Sequence, residues 1–256
     1  MTRDEFSNQF DTLLNSYASQ ALFGEQAAKS EIVLDEYEKS VILTNAQDIV
    51  VKSFFDRKKN STNDGFDDTT ERQIDFSSLI VSRVLQKSSD QSSIFDDRGI
   101  IYDMPLRGNS NNTDVLFILN EKLVTKADGI TKNYVVVPIN YKEYDREMSK
   151  PYAQPLKKQA WRLFQNPATG FDFKSELIPR WNLEANETDL EYKIRYIRRP
   201  TPIVLIDLPD GLSVDGISEA NDCELNPILH PEILQKAVEL AAASRGIARP
   251  TQRAEQ

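Results

Sequence analysis

Apolar residues recur at spacings of three and four near the start of the chain, where Phe6, Phe10, Leu13, Leu14, Tyr17 and Ala21 fall on one stripe. That spacing predicts an amphipathic helix. Thr2 and Glu5 have the spacing of a capping box, which would satisfy the first backbone N–H groups, and Gly24 marks a break. A second helix is predicted from about Asp35 to Phe55, on the stripe Tyr37, Val41, Ala46, Ile49, Val50 and Phe54. Residues 57–70 are polar and turn-rich and read as an exposed loop. Thr70 and Gln73 then cap a third predicted helix to about Lys87, with Ile74, Leu79, Ile80 and Val84 inward. A second polar loop follows at 88–93.

From Gly99 the pattern turns to strands. IIYDMPL, DVLFILN and YVVVPIN are short β-rich runs divided by turn-forming segments, and their spacing suggests an antiparallel meander. Asn140 and Glu143 open a short helix, YKEYDREMSK, ended by Pro151. AWRLF and ELIPRW are weaker strand signals. In LEYKIRYIRRP, Tyr192, Ile194 and Tyr196 share one face and Lys193 and Arg195 the other. TPIVLIDL is a continuous apolar run suited to a strand buried on both faces. A last helix starts near Pro231 and reaches Gly246, on the stripe Ile233, Leu234, Ala237, Val238 and Ala241.

The predicted fold class is therefore α+β, with N-terminal and C-terminal helices flanking a mostly antiparallel β-sheet. The expected divisions are a helical part with polar loops over 1–98, a β-rich part over 99–228, a C-terminal helix over 229–246 and a flexible tail over 247–256, all in one compact domain.

Composition narrows the function classes. The 256 residues are 39% hydrophobic and 28% charged, ordinary for a folded protein. No stretch is apolar enough for a membrane span, and the charged N-terminus lacks a signal-peptide core. The expected setting is a soluble chain made in a reducing cytosol. The single Cys223 excludes an intrachain disulfide framework and a multi-cysteine zinc site. A net charge of −9 argues against indiscriminate nucleic-acid binding. The charge is uneven: 1–80 and 201–256 are acidic, whereas 142–200 carry more Lys and Arg than Asp and Glu. An acidic body with one basic band suits matching between protein surfaces.

Catalytic chemistry is not legible. His230 is the only histidine, and its place before Pro231 suits capping or packing better than general-base work. No GxSxG elbow, P-loop or GxGxxG turn occurs. Cys223 reads as a structural thiol. Asp64, Asp67, Asp68 and Glu71, and the pair Asp96–Asp97, miss the EF-hand spacing. Asp207 ends the run PIVLID, a place where α/β enzymes put acids, without a recognisable partner. LKKQAWRLF could bind phosphates and stack a base, but Arg and aromatics are also the anchors of protein interfaces, the preferred reading. The candidate interface residues are Lys157, Lys158, Trp161, Arg162, Arg195, Arg198, Arg199, Ile247, Arg249 and Arg253.

An ordered set of phrases runs through the chain: EFxxxFDTLLNSYA, EYEKSVILTNAQDIVV, YDMP, YVVVPINYKEYDREMSKPY, KKQAWRL, YKIRYIRRPTPIVLIDL and HPEILQKAVELA. The set resembles a recurrent structural protein of tailed phages of gut Bacteroidales, including crAss-like phages, over nearly its whole length. The resemblance implies a virion ring or adaptor at the head–tail connector, made in the host cytoplasm. It implies a homo-oligomeric ring, twelvefold by portal symmetry, with the portal and adjacent tail ring proteins as partners and genomic DNA in non-specific proximity. No cofactor, metal or catalytic residue is expected. The rival readings are a non-virion assembly factor and a carboxylate-dependent hydrolase or nuclease using Asp207.

Overall fold

The computed structural model describes residues 1–21, 33–54, 74–89, 91, 99–104, 115–127, 130–150, 155–165, 174–180, 189–209 and 211–245. The elements among them are helices α1 (Arg3–Ala21), α2 (Glu36–Ser53), α3 (Tyr141–Met148) and α4 (His230–Ser244), and strands β1 (Ile80–Leu85), β2 (Ile100–Asp103), β3 (Val115–Ala127), β4 (Ile130–Pro138), β5 (Gln159–Gln165), β6 (Lys174–Pro179) and β7 (Asp189–Arg198). The class is α+β as predicted, with helices at both ends of the chain and a seven-stranded, mostly antiparallel sheet between them in sequence. Two compact units form, a helical one from 1–79 and 200–256 and a β-rich one from 80–199.

In the helical unit, α4 packs against both α1 and α2. Its predicted stripe of Ile233, Leu234, Ala237, Val238 and Ala241 is buried throughout. Phe6, Phe10, Leu14 and Ala18 bury the face of α1, while Leu13 is exposed. Each such Phe or Leu contributes about 1.5–3 kcal/mol. The capping box at Thr2 and Glu5 is present: the Thr2 N–H donates to Glu5 Oε2 at 2.9 Å and the Glu5 N–H to Thr2 Oγ1 at 3.4 Å.

The buried face of α2 differs from the predicted stripe. Lys39, Ser40, Leu43, Thr44, Ala46, Gln47, Val50 and Val51 are buried, whereas Ile49 is exposed. The reason lies in what covers it. The run 201–208, expected as a buried strand, forms only an isolated bridge between Val204 and Asn221. Pro202 has no N–H to give a ladder, and α2 supplies hydroxyls instead. Thr44 Oγ1 accepts from the Ile203 N–H at 3.1 Å and Ser40 Oγ from the Leu205 N–H at 3.0 Å. Gln47 Nε2 donates to the Thr201 carbonyl at 2.8 Å, and Glu224 accepts from the Thr201 N–H at 2.6 Å. Buried backbone groups require partners, and here side chains provide them.

The third predicted helix is also corrected. Its proposed cap at Thr70 and Gln73 lies outside the described residues, Ile74 and Asp75 are helical, 76–79 form turns, and 80–85 are strand β1. Ile80, Val81 and Val84 are β-branched, which favours a strand. Their opposite neighbours on β7 are Ile197, Tyr196 and Lys193.

The sheet of the β unit runs β1-β7-β3-β4-β5-β6-β2. β4 and β5 are parallel, with α3 between them in the chain, and every other pair is antiparallel. The expected meander holds for β3–β4 but not for β2, which pairs with β6. The sheet curls until its edges meet: the Ser88 N–H donates to the Ile101 carbonyl at 2.9 Å and the Asp103 N–H to that of Gln86 at 3.1 Å. This barrel encloses Leu85, Tyr102, Leu123, Val136, Leu177, Tyr192, Ile194 and Tyr196, so the predicted alternation of β7 holds and its Tyr192 face is the inward one. Tyr102 and Tyr192 meet edge to face at 5.2 Å. Outside the barrel, Tyr144 of α3 covers Leu163, Ile178 and Trp161. The Asn140–Glu143 capping box starts α3 as expected.

Candidate interaction surfaces

Surface and interior chemistry separate cleanly among the predicted cations. Lys157 and Lys158 are exposed in the turn before β5, with Lys158 at φ 63°. Arg195 is exposed on β7, its Nε donating to Ser82 Oγ at 3.2 Å. Arg198 and Arg199 are half-buried at the end of β7, and Trp161 is half-buried against Tyr144 at 6.4 Å. Ile247, Arg249 and Arg253 lie outside the described residues, as do the loop 57–70, the acidic groups within it, Asp96 and Asp97.

Arg162 does not lie on the surface. It is 7% exposed, reaches Glu121 Oε1 at 3.3 Å and stacks over the Phe164 ring at 3.8 Å. β5 alternates, so Arg162 follows Ala160 into the barrel while Trp161 and Leu163 turn outward. The Tyr192 hydroxyl donates to Glu121 Oε2 at 2.6 Å. Burial raises the Glu121 pKa, against the pull of Arg162 and Tyr192, and burial and Glu121 both push Tyr192 upward. Sequence reading missed Glu121 altogether, because a lone carboxylate on a strand resembles any surface residue.

A second buried cation stands in the helical unit. Lys39 Nζ binds Asp11 at 2.7 Å, Glu36 at 2.9 Å and Ser7 Oγ at 3.1 Å, joining α1 to α2. Burial alone would lower its pKa, but the two carboxylates outweigh this and raise it. His230 packs as expected. Its Nε2–H donates to the Leu225 carbonyl at 3.0 Å, its ring meets Phe6 at 5.0 Å, and Nδ1 lies 3.1 Å from the Met1 amino nitrogen. Burial lowers its pKa, only partly opposed by the Leu225 carbonyl. Burial pushes the Cys223 thiol up to about 11, and its Sγ donates to Gln47 at 3.4 Å. An inert thiol follows. Asp207 Oδ1 accepts from the Ala220 N–H at 2.8 Å as a turn residue. Among the described residues, no three His, Cys, Asp or Glu converge to hold a metal ion.

What remains are surfaces. A groove of about 440 Å³ runs between α1 and α4, lined by Leu13, Tyr17, Leu234 and Val238. Another, of about 340 Å³, lies on the outer face of β1, β7 and β3, lined by Ser82, Val84, Asn120, Lys122, Lys193 and Arg195. Beside it, Glu191 binds Lys126 at 2.6 Å and Lys193 at 2.7 Å, and these partners draw its pKa down to about 2.

Residues 1–253 match the phage tail ring protein 3/4 family. The chain belongs to that family. It is 42% identical over 248 residues to ring protein 4/5 of Bacteroides phage crAss001, covering 95% of this chain and 93% of that one. It is 34% identical over 249 residues to ring protein 3 of the same phage, covering 96% of each. The resemblance to ring and adaptor proteins of crAss-like phages is thus shown. The chain is a phage structural ring protein.

Proposed function

We propose that the chain is a non-catalytic subunit of a homo-oligomeric ring at the head–tail joint of the virion, twelvefold to match the portal. Its neighbours are the portal and adjacent tail ring proteins, and its work is mechanical, joining portal to tail around the DNA passage. The end-to-end match to two ring proteins carries this reading. The division into two units of unlike surface chemistry supports it, because a ring subunit needs two different, complementary faces. Lys157, Lys158, Arg198 and Arg199 are contacts to neighbouring proteins. The tail with Ile247, Arg249 and Arg253 is an arm that orders on an adjacent ring.

Quantitative mass spectrometry of purified virions tests the placement. The expected copy number equals that of the portal. Absence from mature particles would overturn the placement and make the chain an assembly factor. Normal, infectious particles after deletion of residues 247–256 would remove the arm from the scheme.

A further inference from the structure

The outer face of the barrel carries an arrangement that is unfavourable for an isolated chain. Across β4, β3, β7 and β1, one row of directly opposed residues reads Val135, Lys122, Lys193, Val84. Lys122 and Lys193 are thus like charges facing each other, a pairing that destabilises a sheet. The next row, Asn120, Arg195 and Ser82, adds a third cation. At the ends of the lysine row, Val84 is 47% and Val135 60% exposed. Glu191 offsets Lys193 from one side, but the face remains cationic with an apolar margin.

The helical unit holds the complementary chemistry. Between Arg199 and Lys236 the sequence contains seven carboxylates and no Lys or Arg. Part of this stretch folds back on itself. Val204 bridges Asn221, the Leu208 N–H donates to the Ser218 carbonyl at 2.8 Å, and Val214 bridges Ile217. Asp215 at φ 50° and Gly216 at φ 86° make the tip, the pairing that a two-residue turn of this hand requires. The excursion exposes Asp207 and Glu219 together with Ile206 and Leu212, at 46% and 40%, while Asp222 just beyond it is held by Arg3 at 3.1 Å.

We propose that the 204–221 excursion of one copy docks on the β1–β7–β3 face of the next copy in the ring. This pairing rests on the ring reading above and names its contact. Carboxylates meet Lys122, Lys193 and Arg195, and Ile206 and Leu212 meet Val84 and Val135. The two patches lie on different units, so the contact is heterologous and propagates head to tail, as ring closure requires. Duplex DNA fits the face less well, since exposed valines contribute nothing to phosphate binding.

The test uses the full chain and two sets of substitutions. Lys122→Glu with Arg195→Glu reverses the barrel face, and Lys122→Glu replaces a like-charge pair by an opposite one, so folding is not put at risk. Leu212→Lys with Glu219→Lys reverses the excursion. Sedimentation equilibrium should show self-association weakened at least about tenfold by either set. Mixing the two variants should restore assembly in alternation, because each wild-type face then meets a wild-type excursion and each reversed face a reversed one. Combining both sets in one chain should restore it as well. Wild-type association that ignores both reversals overturns the pairing while leaving the ring reading intact. So does a chain that stays monomeric at every concentration yet is found in virions. Loss of binding to a duplex DNA probe, with self-association unchanged, would give the face to nucleic acid instead. Absence from virions is the separate failure of the ring reading.

Discussion

The helical unit and the barrel satisfy their buried backbone by different means. In the helical unit, Ser40, Thr44 and Gln47 on one face of α2 reach across to the backbone of 201–205, which has almost no ladder. In the barrel the backbone is satisfied by strand pairing, and the Arg162–Glu121 ion pair with the Tyr192 hydroxyl lies inside, as Lys39 with Asp11 and Glu36 does between α1 and α2. The surfaces differ as well. The sequence of the helical unit carries 24 carboxylates against 12 cations, and that of the barrel 16 against 19. One unit is held by many individually modest hydrogen bonds and is strongly acidic. The other is held by ladders around a core that includes the Arg162–Glu121 pair and is mildly basic. Damage should therefore be graded in one and abrupt in the other.

The largest expected effect is in the barrel. Arg162→Met leaves Glu121 buried without its cation, which costs about 3–5 kcal/mol. Both tryptophans fall within 80–199, so tryptophan fluorescence during denaturant unfolding follows this unit. Adding Glu121→Leu should recover most of the loss, because two apolar residues can replace a buried pair at little net cost. A double variant as unstable as the single one would mean that packing, not charge, dominates the site.

Next come the hydroxyls of α2. Thr44→Val or Ser40→Ala strands one buried backbone N–H, at about 1–3 kcal/mol each. Far-ultraviolet circular dichroism, dominated by the helices, should record the loss while the fluorescence transition stays in place. Matching shifts in both signals would show that the two units unfold together.

Acid should separate the units further. The His230 pKa is lowered, so its contribution is complete above the ordinary value near 6.5 and is lost as pH falls through that value toward the folded one. Glu191 is also lowered, to about 2, so its contribution is complete above about 4.5 and fades between there and about 2. Stability of the helical unit should begin to fall near pH 6.5, and His230→Phe should flatten that decline. A decline that persists unchanged in the variant would place the acid sensitivity elsewhere.

The smallest effect is a gain. Lys122→Ala relieves the opposition to Lys193 and should raise barrel stability by roughly 0.2–1 kcal/mol, readable as a higher fluorescence midpoint. No gain would show that Glu191 already neutralises the pair.

Periodicity alone placed α1 and α4, the buried face of α4 and Phe6, Phe10 and Leu14 of α1, because a helix packed on one side must repeat its apolar residues every three or four positions. The alternation of β7 and the capping boxes at Thr2 and Asn140 were equally legible, being set by neighbours within three residues. The family was legible too, from phrases spread along nearly the whole chain. Three things needed the folded protein. The run 201–208 has a strand's composition but takes its hydrogen bonds from α2, more than 150 residues away in sequence. β1 reads as the end of a helix until β7 offers it a ladder. Arg162 looks like a surface cation until β5 turns it toward Glu121. Local pattern determines what a segment can bury on its own, but which polar groups end up inside depends on partners that only the tertiary fold brings within hydrogen-bonding distance.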